Sequence, residues 1–266
     1  MKIMNIFAVL LVSAGAVCAA EADVKTFPAA GVTGISAVTG VGAITVAGAD
    51  GDIKVEVFMG DPDKCVMTMG VRGGKLILKA EGSRKVKEKV VFGLGSRWAE
   101  CPAAFKISAP SGVDFEAKSG TGKIGVSGIT GRVTLKSGTG AVALSALAGR
   151  VDVDSGTGEV FGELCSKRLT VKGGTGKVNL KGLCGPADIN TGTGAVTLDW
   201  ARVPEAGTAR VKTGAADIII TLPAGAALNP DLKSGTGKIM TEFGRSTGFR
   251  LEAKSGTGDI SLLKAK

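Results

Sequence analysis

The sequence predicts an all-β, single-domain β-solenoid, and three observations lead to this fold class. A four-residue phrase, Ser-Gly-Thr-Gly or a near copy, recurs at a constant spacing of 18 residues. Apolar residues two positions apart follow each phrase, which is typical of a strand with one buried face. No window longer than these short strands has helical periodicity. Regular coils are expected from about residue 119, after a less regular β region.

The phrase divides the middle of the chain into coils of equal length. Its regular copies begin at Ser119, Ser137, Ser155, Gly173 and Thr191. It returns in degraded form at Thr213 and cleanly at Ser234 and Ser255, at spacings of 22, 21 and 21 residues. Insertions therefore lengthen the later coils. An earlier echo at residues 39–44 indicates that the pattern begins well before the regular array.

Aligning the units places apolar residues in columns. Two columns of the first strand read Ile124, Val142, Val160, Val178, Val196 and Val126, Leu144, Gly162, Leu180, Leu198. Two columns of the second read Val133, Val151, Leu169, Ala187 and Leu135, Val153, Val171, Ile189. Each unit thus holds two short strands, such as 123–127 and 132–136. A unit this short cannot bury its apolar face alone, so stacking at the strand spacing of about 4.8 Å is expected to create a continuous core.

Polar residues form columns as well. One column alternates between lysine and an acidic or amide residue, so that stacked neighbours would attract one another: Lys136, Asp154, Lys172 and Asn190. A ladder of like charges, whose long side chains can spread into water, occurs at Arg132, Arg150 and Arg168. The glycines of the phrase are predicted to be corner residues with positive φ. The phrase also produces a column of threonines: Thr121, Thr139, Thr157, Thr175 and Thr193. We expect their hydroxyls to cap the turn rather than to form an ice-binding surface.

The first residues have the pattern of a secretory signal peptide. Lys2 precedes an apolar run and then small residues, which predicts a signal peptide at 1–20 with cleavage near Ala20 or Ala22. A signal anchor is the competing interpretation, but the acidic Glu21 and Asp23 favour cleavage. Cys18 lacks the context of a lipidation signal. We therefore expect an exported chain with a β region at 21–118, continuous with a repeat array at 119–266, and no transmembrane segment after cleavage.

Four cysteines follow the signal peptide. An even number in an exported chain favours disulfides over a metal site. Cys165 is assigned to an inward column with Leu147 and Leu183, and Cys184 lies one residue beyond the position one coil away. A coil step of about 4.8 Å and one residue of about 3.3 Å give a Cα separation of about 6 Å. This distance predicts a Cys165–Cys184 disulfide if both residues lie at a corner, and Cys65–Cys101 follows by elimination.

Composition and charge limit the function classes. The 266 residues include 42 Gly and 2 Trp, but no His and no Tyr. The absence of His removes Ser-His-Asp and Cys-His catalysis and imidazole metal ligands, and the shortage of aromatic residues leaves little for stacking on sugars. The net charge of +9 would attract an anionic cell-surface polymer, although a basic surface that is simply solvated is the favoured interpretation. Nucleic acid is not an expected partner outside the cell.

Apparent cofactor motifs are by-products of the repeat. Residues 120–125 match the dinucleotide pattern G-x-G-x-x-G, but no helix follows them. The aspartate positions of a calcium-binding β-roll hold aliphatic residues such as Ile124 and Val142, so a metal-free core without cofactors is expected. Trp200, beside the insertion 201–207, is interpreted as the cover of a core end rather than as an exposed anchor.

Three segments, 35–46, 52–57 and 105–122, resemble the DUF4097 family of bacterial β-strand-repeat proteins, which are described as adhesins. The resemblance extends over nearly the whole mature chain. It implies an exported or envelope-associated β-solenoid, and it provides no catalytic motif that could be transferred to this sequence.

The leading functional hypothesis is an exported, non-enzymatic structural or adhesive module of the cell envelope, located in the periplasm, at the cell surface or outside the cell. Its partner would be an envelope polymer or a surface protein. A polysaccharide-active β-helix enzyme is the main alternative, although the clustered carboxylates that it requires are not found in any column. An envelope-stress regulatory module is a third hypothesis.

Overall fold

Alternating apolar and polar residues form strands throughout the residues that the structure, a computed structural model, describes: 22–83, 87–89, 96–98, 101–205 and 207–266. The signal peptide predicted at 1–20 lies outside these residues. In the described part of the chain, no helix is long and apolar enough to cross a membrane.

Two large sheets contain most of the strands. The first sheet has 12 strands: β1 (Asp23–Phe27), β3 (Ile44–Gly48), β4 (Ile53–Met59), β9 (Ala103–Ala109), β11 (Ile124–Ser127), β13 (Val142–Ser145), β15 (Val160–Glu163), β17 (Val178–Leu183), β19 (Val196–Trp200), β21 (Ile218–Leu222), β23 (Ile239–Thr241) and β25 (Ile260–Lys264). The second has 11: β2 (Gly34–Thr39), β5 (Cys65–Arg72), β6 (Lys75–Gly82), β10 (Asp114–Ser119), β12 (Val133–Ser137), β14 (Arg150–Ser155), β16 (Arg168–Gly173), β18 (Ala187–Thr191), β20 (Thr208–Thr213), β22 (Leu228–Ser234) and β24 (Phe249–Ser255). A short 3-10 helix, Pro62–Lys64, precedes β5, and β7 (Lys87–Lys89) pairs with β8 (Ser96–Trp98).

Each coil of the array gives one strand to each sheet, and equivalent strands of successive coils pair in parallel. Val142 of β13 pairs with Ile124 on one side and with Val160 on the other. In the second sheet, Val133 of β12 pairs with Val151 of β14. The 18-residue columns and the β-solenoid predicted from the repeats are therefore confirmed.

The core lies between the two sheets and consists of the apolar columns. Along β12, Val133 and Leu135 are fully buried, whereas Thr134 and Lys136 point outward. The same alternation recurs in the neighbouring strands, so aliphatic side chains stack continuously along the solenoid. Full burial of one such side chain stabilises the fold by roughly 1.5–3 kcal/mol.

The amino-terminal end continues the array. Strands β2 and β3 stack directly on β10 and β11, with Thr39 beside Ser119, so the early echo of the phrase is itself a coil. The predicted boundary between the β region 21–118 and the repeat array 119–266 lies inside β10. Antiparallel strands close this end, since β5 pairs with β6, β4 with β9, and β1 with β4.

At the carboxyl end, the order of stacking differs from the order of the chain. Strands β24 and β25 lie between β20 and β21 on one side and β22 and β23 on the other. The coil that contains Ser234 is therefore outermost, and the coil of Ser255 packs against that of Thr213. The outer edge is protected against pairing with other chains, because β22 contains Pro230 and β23 has only three residues.

Candidate functional site

Each coil passes from the second sheet to the first through the repeated phrase, a turn that we call the glycine corner. In four of the five regular copies the first residue of the phrase is a buried Ser or Thr whose hydroxyl bonds to the turn, and Gly173 is the exception. Ser155 Oγ donates to the Gly158 carbonyl at 2.8 Å, and Thr191 Oγ1 donates to the Gly194 carbonyl at 2.9 Å. Among the described residues, no hydrogen bond joins the hydroxyls of Thr121, Thr139, Thr157, Thr175 and Thr193 to the turn, so the prediction that these exposed threonines cap it was wrong.

The glycines of this corner are required for close packing between coils. Among the described residues, positive φ values occur elsewhere, as at Gly128 and Gly182, and not at the phrase glycines of the regular array. The prediction of positive φ at those positions was therefore wrong. A Cβ on Gly138 or Gly140 would instead lie closer than 3.0 Å to a backbone carbonyl of the preceding coil. Successive backbones thus approach one another where no side chain intervenes.

The outer face of the second sheet is rich in charged side chains. Among the described residues, its three outward columns hold fourteen basic side chains and seven acidic ones. The basic residues are Arg72, Lys75, Lys79, Lys118, Arg132, Lys136, Arg150, Arg168, Lys172, Arg210, Lys212, Lys233, Arg250 and Lys254. The acidic residues are Asp114, Glu116, Asp152, Asp154, Asp188, Asp231 and Glu252. The face is therefore strongly positive.

Several acids in the central column are neutralised by the columns beside them. Glu116 accepts hydrogen bonds from Lys75 at 2.8 Å and contacts Lys118 at 3.0 Å, and these ammonium groups lower the pKa of its carboxyl. Asp152 lies 2.9 Å from Arg150 and raises the pKa of that guanidinium. Glu252 similarly contacts Arg250 at 2.7 Å. These carboxylates are held in ion pairs with neighbouring strands or residues of the same strand.

The lysine column at the edge of this face retains free charge. Within the residues that the structure describes, no ion pair involves Lys136, Lys172, Lys212 or Lys254. As predicted, Lys136, Asp154 and Lys172 lie side by side in register. Like charges also adjoin, since Lys212 pairs with Lys254 and Arg150 with Arg168.

A shallow groove of about 460 Å³ runs beside this column at the glycine corner. The groove is lined by Thr39, Lys118, Ser119, Gly120, Lys136, Ser137, Gly138, Asp154 and Gly156. Because glycines have no side chains, the exposed backbone forms the bottom of the groove. The groove is thus open to solvent and bordered by two ammonium groups and by the carboxylate of Asp154.

The outer face of the first sheet is chemically different. Within the described repeat array, its central outward column carries no charge and consists of Thr45, Gly125, Ala143, Phe161, Asn179, Thr197, Ile219, Met240 and Ser261; beyond Thr45 the column continues with Lys106 and Glu56. At the amino-terminal end of this sheet, Glu56 contacts Lys106 and Lys54, both at 3.1 Å, and both lysines lower the pKa of its carboxyl. The flanking columns mix acids and bases, as where Glu163 lies beside Lys181, so the array has one basic face and one face of nearly zero net charge.

Two disulfides join the cysteine pairs expected from the sequence. The Cα separation is 4.9 Å for Cys65–Cys101 and 5.1 Å for Cys165–Cys184. Cys165 does not belong to the inward column to which the sequence assigned it: Leu164 is buried there, and Cys165 is exposed. After β15, the first buried residue is Leu164, one residue beyond Glu163. After β13 it is Leu147, two residues beyond Ser145. The shorter corner after β15 places Cys165 on the outside, beside Cys184.

Trp200 is buried, as the interpretation of a core cover predicts, and it is not an exposed anchor. Its side chain is 1% exposed, and its Nε1 donates a hydrogen bond to the Gly185 carbonyl at 3.2 Å. The following insertion lies close to the second disulfide, since Arg202 Nη2 is 3.9 Å from Cys165 Sγ.

Metal-ligating and acidic side chains are dispersed over the described residues. These residues contain no group of three or more His, Cys, Asp and Glu side chains that could hold a metal ion. The carboxyls whose pKa values are displaced, Glu56 and Glu116, lie in ion pairs on outer faces. Their lowered pKa values fit surface ion pairs rather than a general acid, which requires a raised one.

Comparison with known proteins supports the fold and does not assign a family. No protein-family model and no curated protein matches the sequence. A structure described as a putative lipid binding protein from Parabacteroides distasonis is 15% identical, with a TM-score of 0.53 over 92% of this chain and 97% of that one. A putative adhesin from Parabacteroides merdae is 11% identical, with a TM-score of 0.46 over 92% and 96%. A putative cell adhesion protein from Clostridium sporogenes is 12% identical, with a TM-score of 0.30 over 92% and 99%.

Proposed function

We propose that the protein is an exported, non-enzymatic β-solenoid that acts as an adhesin-like module of the cell envelope. The observation that carries the proposal is the pair of long outer faces, one basic and one nearly neutral. Extended faces of this kind suit attachment to a large surface or polymer better than enclosure of a small substrate. The proposal agrees with the resemblance of the sequence to bacterial β-strand-repeat adhesins.

Export is supported by two independent features. The amino-terminal sequence predicts a signal peptide, and the four cysteines of the described chain form two disulfides. Disulfides persist in the periplasm and outside the cell, whereas cytosolic thiols are kept reduced. Both features favour a protein that works in or beyond the envelope.

A binding role is favoured over polysaccharide cleavage. A glycosidase of the usual type needs two carboxyls that flank the scissile bond, one of them with a raised pKa. On the described outer faces, Glu116 and Glu56 are instead each paired with two lysines, which stabilise the ionised form. Such carboxylates are poor proton donors at neutral pH.

The proposal can be tested with labelled, purified mature protein and with intact cells and isolated envelopes of the producing bacterium. We expect saturable retention on one or both surfaces, without release of oligosaccharides. Thermally unfolded protein serves as the control for nonspecific retention. Soluble glycan products would instead establish an enzyme. A complete lack of retention, together with altered envelope-stress gene expression in a deletion strain, would favour the regulatory alternative.

A further inference from the structure

We infer that the groove at the glycine corner binds a linear anionic polysaccharide. This inference rests on the proposed surface role and specifies its ligand. The groove lies on the coils of Lys118, Lys136 and Asp154. The three neighbouring columns that continue it along the array, which together we call the lysine groove, carry the argument. Its lysines are Lys118, Lys136, Lys172, Lys212, Lys233 and Lys254; its glycines are Gly120, Gly138, Gly156, Gly174, Gly192, Gly214, Gly235 and Gly256; and its threonines are Thr121, Thr139, Thr157, Thr175, Thr193, Thr236 and Thr257.

The repeat places the same three chemical features in most coils. Lys136 precedes the buried Ser137, the exposed Gly138 and the exposed Thr139. Because equivalent strands are about 4.8 Å apart, ammonium and hydroxyl groups recur along the solenoid at multiples of that distance. A ligand that follows this groove must itself be extended and repetitive.

The backbone at the bottom of the groove is already hydrogen-bonded. The Gly138 amide donates to the Ser119 carbonyl at 3.0 Å, and the Thr139 amide donates to the Gly120 carbonyl at 2.9 Å. The same bonds recur in the next coil, where Thr157 donates to Gly138 at 2.9 Å. These amides are therefore engaged between coils, and recognition depends on the lysine and threonine side chains.

The charge of the groove selects an anion. Lys136, Lys172 and Lys212 are exposed, and in the described chain none of them has an ion-pair partner. Lys212 lies directly beside Lys254, and a bound polyanion relieves the repulsion between these like charges. The acids of this face neutralise only part of the column: Glu116 pairs with Lys118, Asp231 pairs with Lys233, and Asp154 lies in register between Lys136 and Lys172.

The accompanying groups distinguish a polysaccharide from other polyanions. The threonine column provides hydroxyls that can exchange hydrogen bonds with sugar hydroxyls. In the described chain, the three columns contain no aromatic residue on which bases could stack and no Leu, Ile or Met that could insert into a membrane. Ammonium groups with adjacent hydroxyls therefore fit a glycan that carries carboxylate or sulfate groups along its length.

The test measures binding of the disulfide-intact mature protein to polygalacturonate and chondroitin sulfate at physiological salt. Fully methyl-esterified polygalacturonate is the control ligand with the same backbone and no charge. Polyglutamate and phosphatidylglycerol vesicles represent other classes of anionic partner. The groove variant combines Lys136→Gln, Lys172→Gln and Lys212→Gln. The matched control combines Lys167→Gln, Lys181→Gln and Lys264→Gln, which remove the same charge from exposed positions away from the groove.

We expect the groove variant to bind the anionic glycans at least about tenfold more weakly, with a shallower dependence of affinity on salt, since cation contacts are lost. The control variant should change affinity by less than about twofold, because its charges are screened from the groove. Thr139→Val with Thr157→Val should weaken binding to polygalacturonate and leave binding to polyglutamate unchanged.

Equal losses in the two triple variants would overturn the inference, because they would indicate nonspecific attraction. It would also be overturned if wild-type protein bound neither glycan, or bound polyglutamate or vesicles more tightly. Retention on cells separates this inference from the proposed function. If the groove variant is retained as well as wild type, the inference is wrong and the surface role stands; if wild type is not retained, the surface role itself fails.

Discussion

Gly140 lies so close to the Gly122 carbonyl of the preceding coil that no Cβ fits between them. One residue earlier, the Thr139 amide bonds to the Gly120 carbonyl at 2.9 Å. The hydrogen-bond ladder of the second sheet thus continues through the corner, and it does so only because the facing residues lack side chains. The repeated phrase is therefore a requirement of stacking.

Gly140→Ala should destabilise the protein by about 1–3 kcal/mol, since the added methyl forces two coils apart. Urea unfolding followed by circular dichroism measures the change. Gly112→Ala is the control, because a Cβ there meets nothing within 4 Å. Equal unfolding midpoints for the two variants would contradict the close-packing explanation.

Val142→Asp should cost about 4 kcal/mol or more, because it buries a carboxylate between Ile124 and Val160 without a partner. Val142 is 0% exposed. Ala143→Asp, at the next residue on the outer face, should change stability by about 0.5 kcal/mol or less. Thermal melting of both proteins tests the assignment of faces, and a Val142→Asp protein that melts like wild type would refute it.

Glu116→Gln should reduce stability at neutral pH and have little effect in acid. The lysines at 2.8 and 3.0 Å lower the pKa of the folded-state carboxyl, so its contribution is complete above the unfolded pKa and disappears as pH falls through the folded value. Since the pair is partly exposed, we expect at most about 1 kcal/mol.

Urea titrations of wild type and Glu116→Gln at pH 7 and below pH 4 measure this difference. Glu159→Gln removes an exposed carboxylate for which the described chain shows no ion pair, and it serves as the control. A stability difference that grows on acidification would contradict the role of the lysines.

Non-reducing peptide mapping should recover Cys165 linked to Cys184 and Cys65 linked to Cys101. The double variant Cys165→Ser/Cys184→Ser should be less stable by about 2–4 kcal/mol, because the disulfide restricts the unfolded chain. Free thiols at both positions, or a link from either of them to Cys65, would show that the corner is built differently.

Melting should be the same in chelator and in millimolar calcium. The positions that carry aspartate in calcium-binding β-rolls hold the buried residues Ile124, Val142 and Val160, which offer no oxygen ligand. Differential scanning calorimetry makes the comparison. An increase of many degrees on addition of calcium would reveal a site that this arrangement does not provide.

The repeat made the core predictable from the sequence. A column such as Val133, Val151 and Leu169 is apolar in every coil, and a shift of one residue would turn it to solvent. Register and burial were therefore determined by the same pattern. The basic residues of the lysine groove could also be identified in the sequence. Their location on a different face from the nearly neutral columns could not, because it depends on which strands share a sheet.

Features that break the repeat were less predictable. Leu164 and Cys165 are both compatible with a core position, and only the length of the preceding corner decides between them. The glycines gave no indication of whether φ or close packing was the constraint, because both exclude a side chain. Nor does the spacing between Thr213, Ser234 and Ser255 reveal which coil is outermost, since all three carry the same phrase.

That inverted order at the carboxyl end has a consequence for biosynthesis. The ribosome delivers β22 and β23 before β24 and β25, yet the earlier pair can reach its final place only with the later pair beneath it. A chain that is still emerging, or is being threaded through a membrane, must therefore leave β20 and β21 uncovered or cover them with the wrong coil. Folding of this end is completed only after β24 and β25 have been synthesised, so the coil of β22 and β23 cannot dock in its final place when it first emerges.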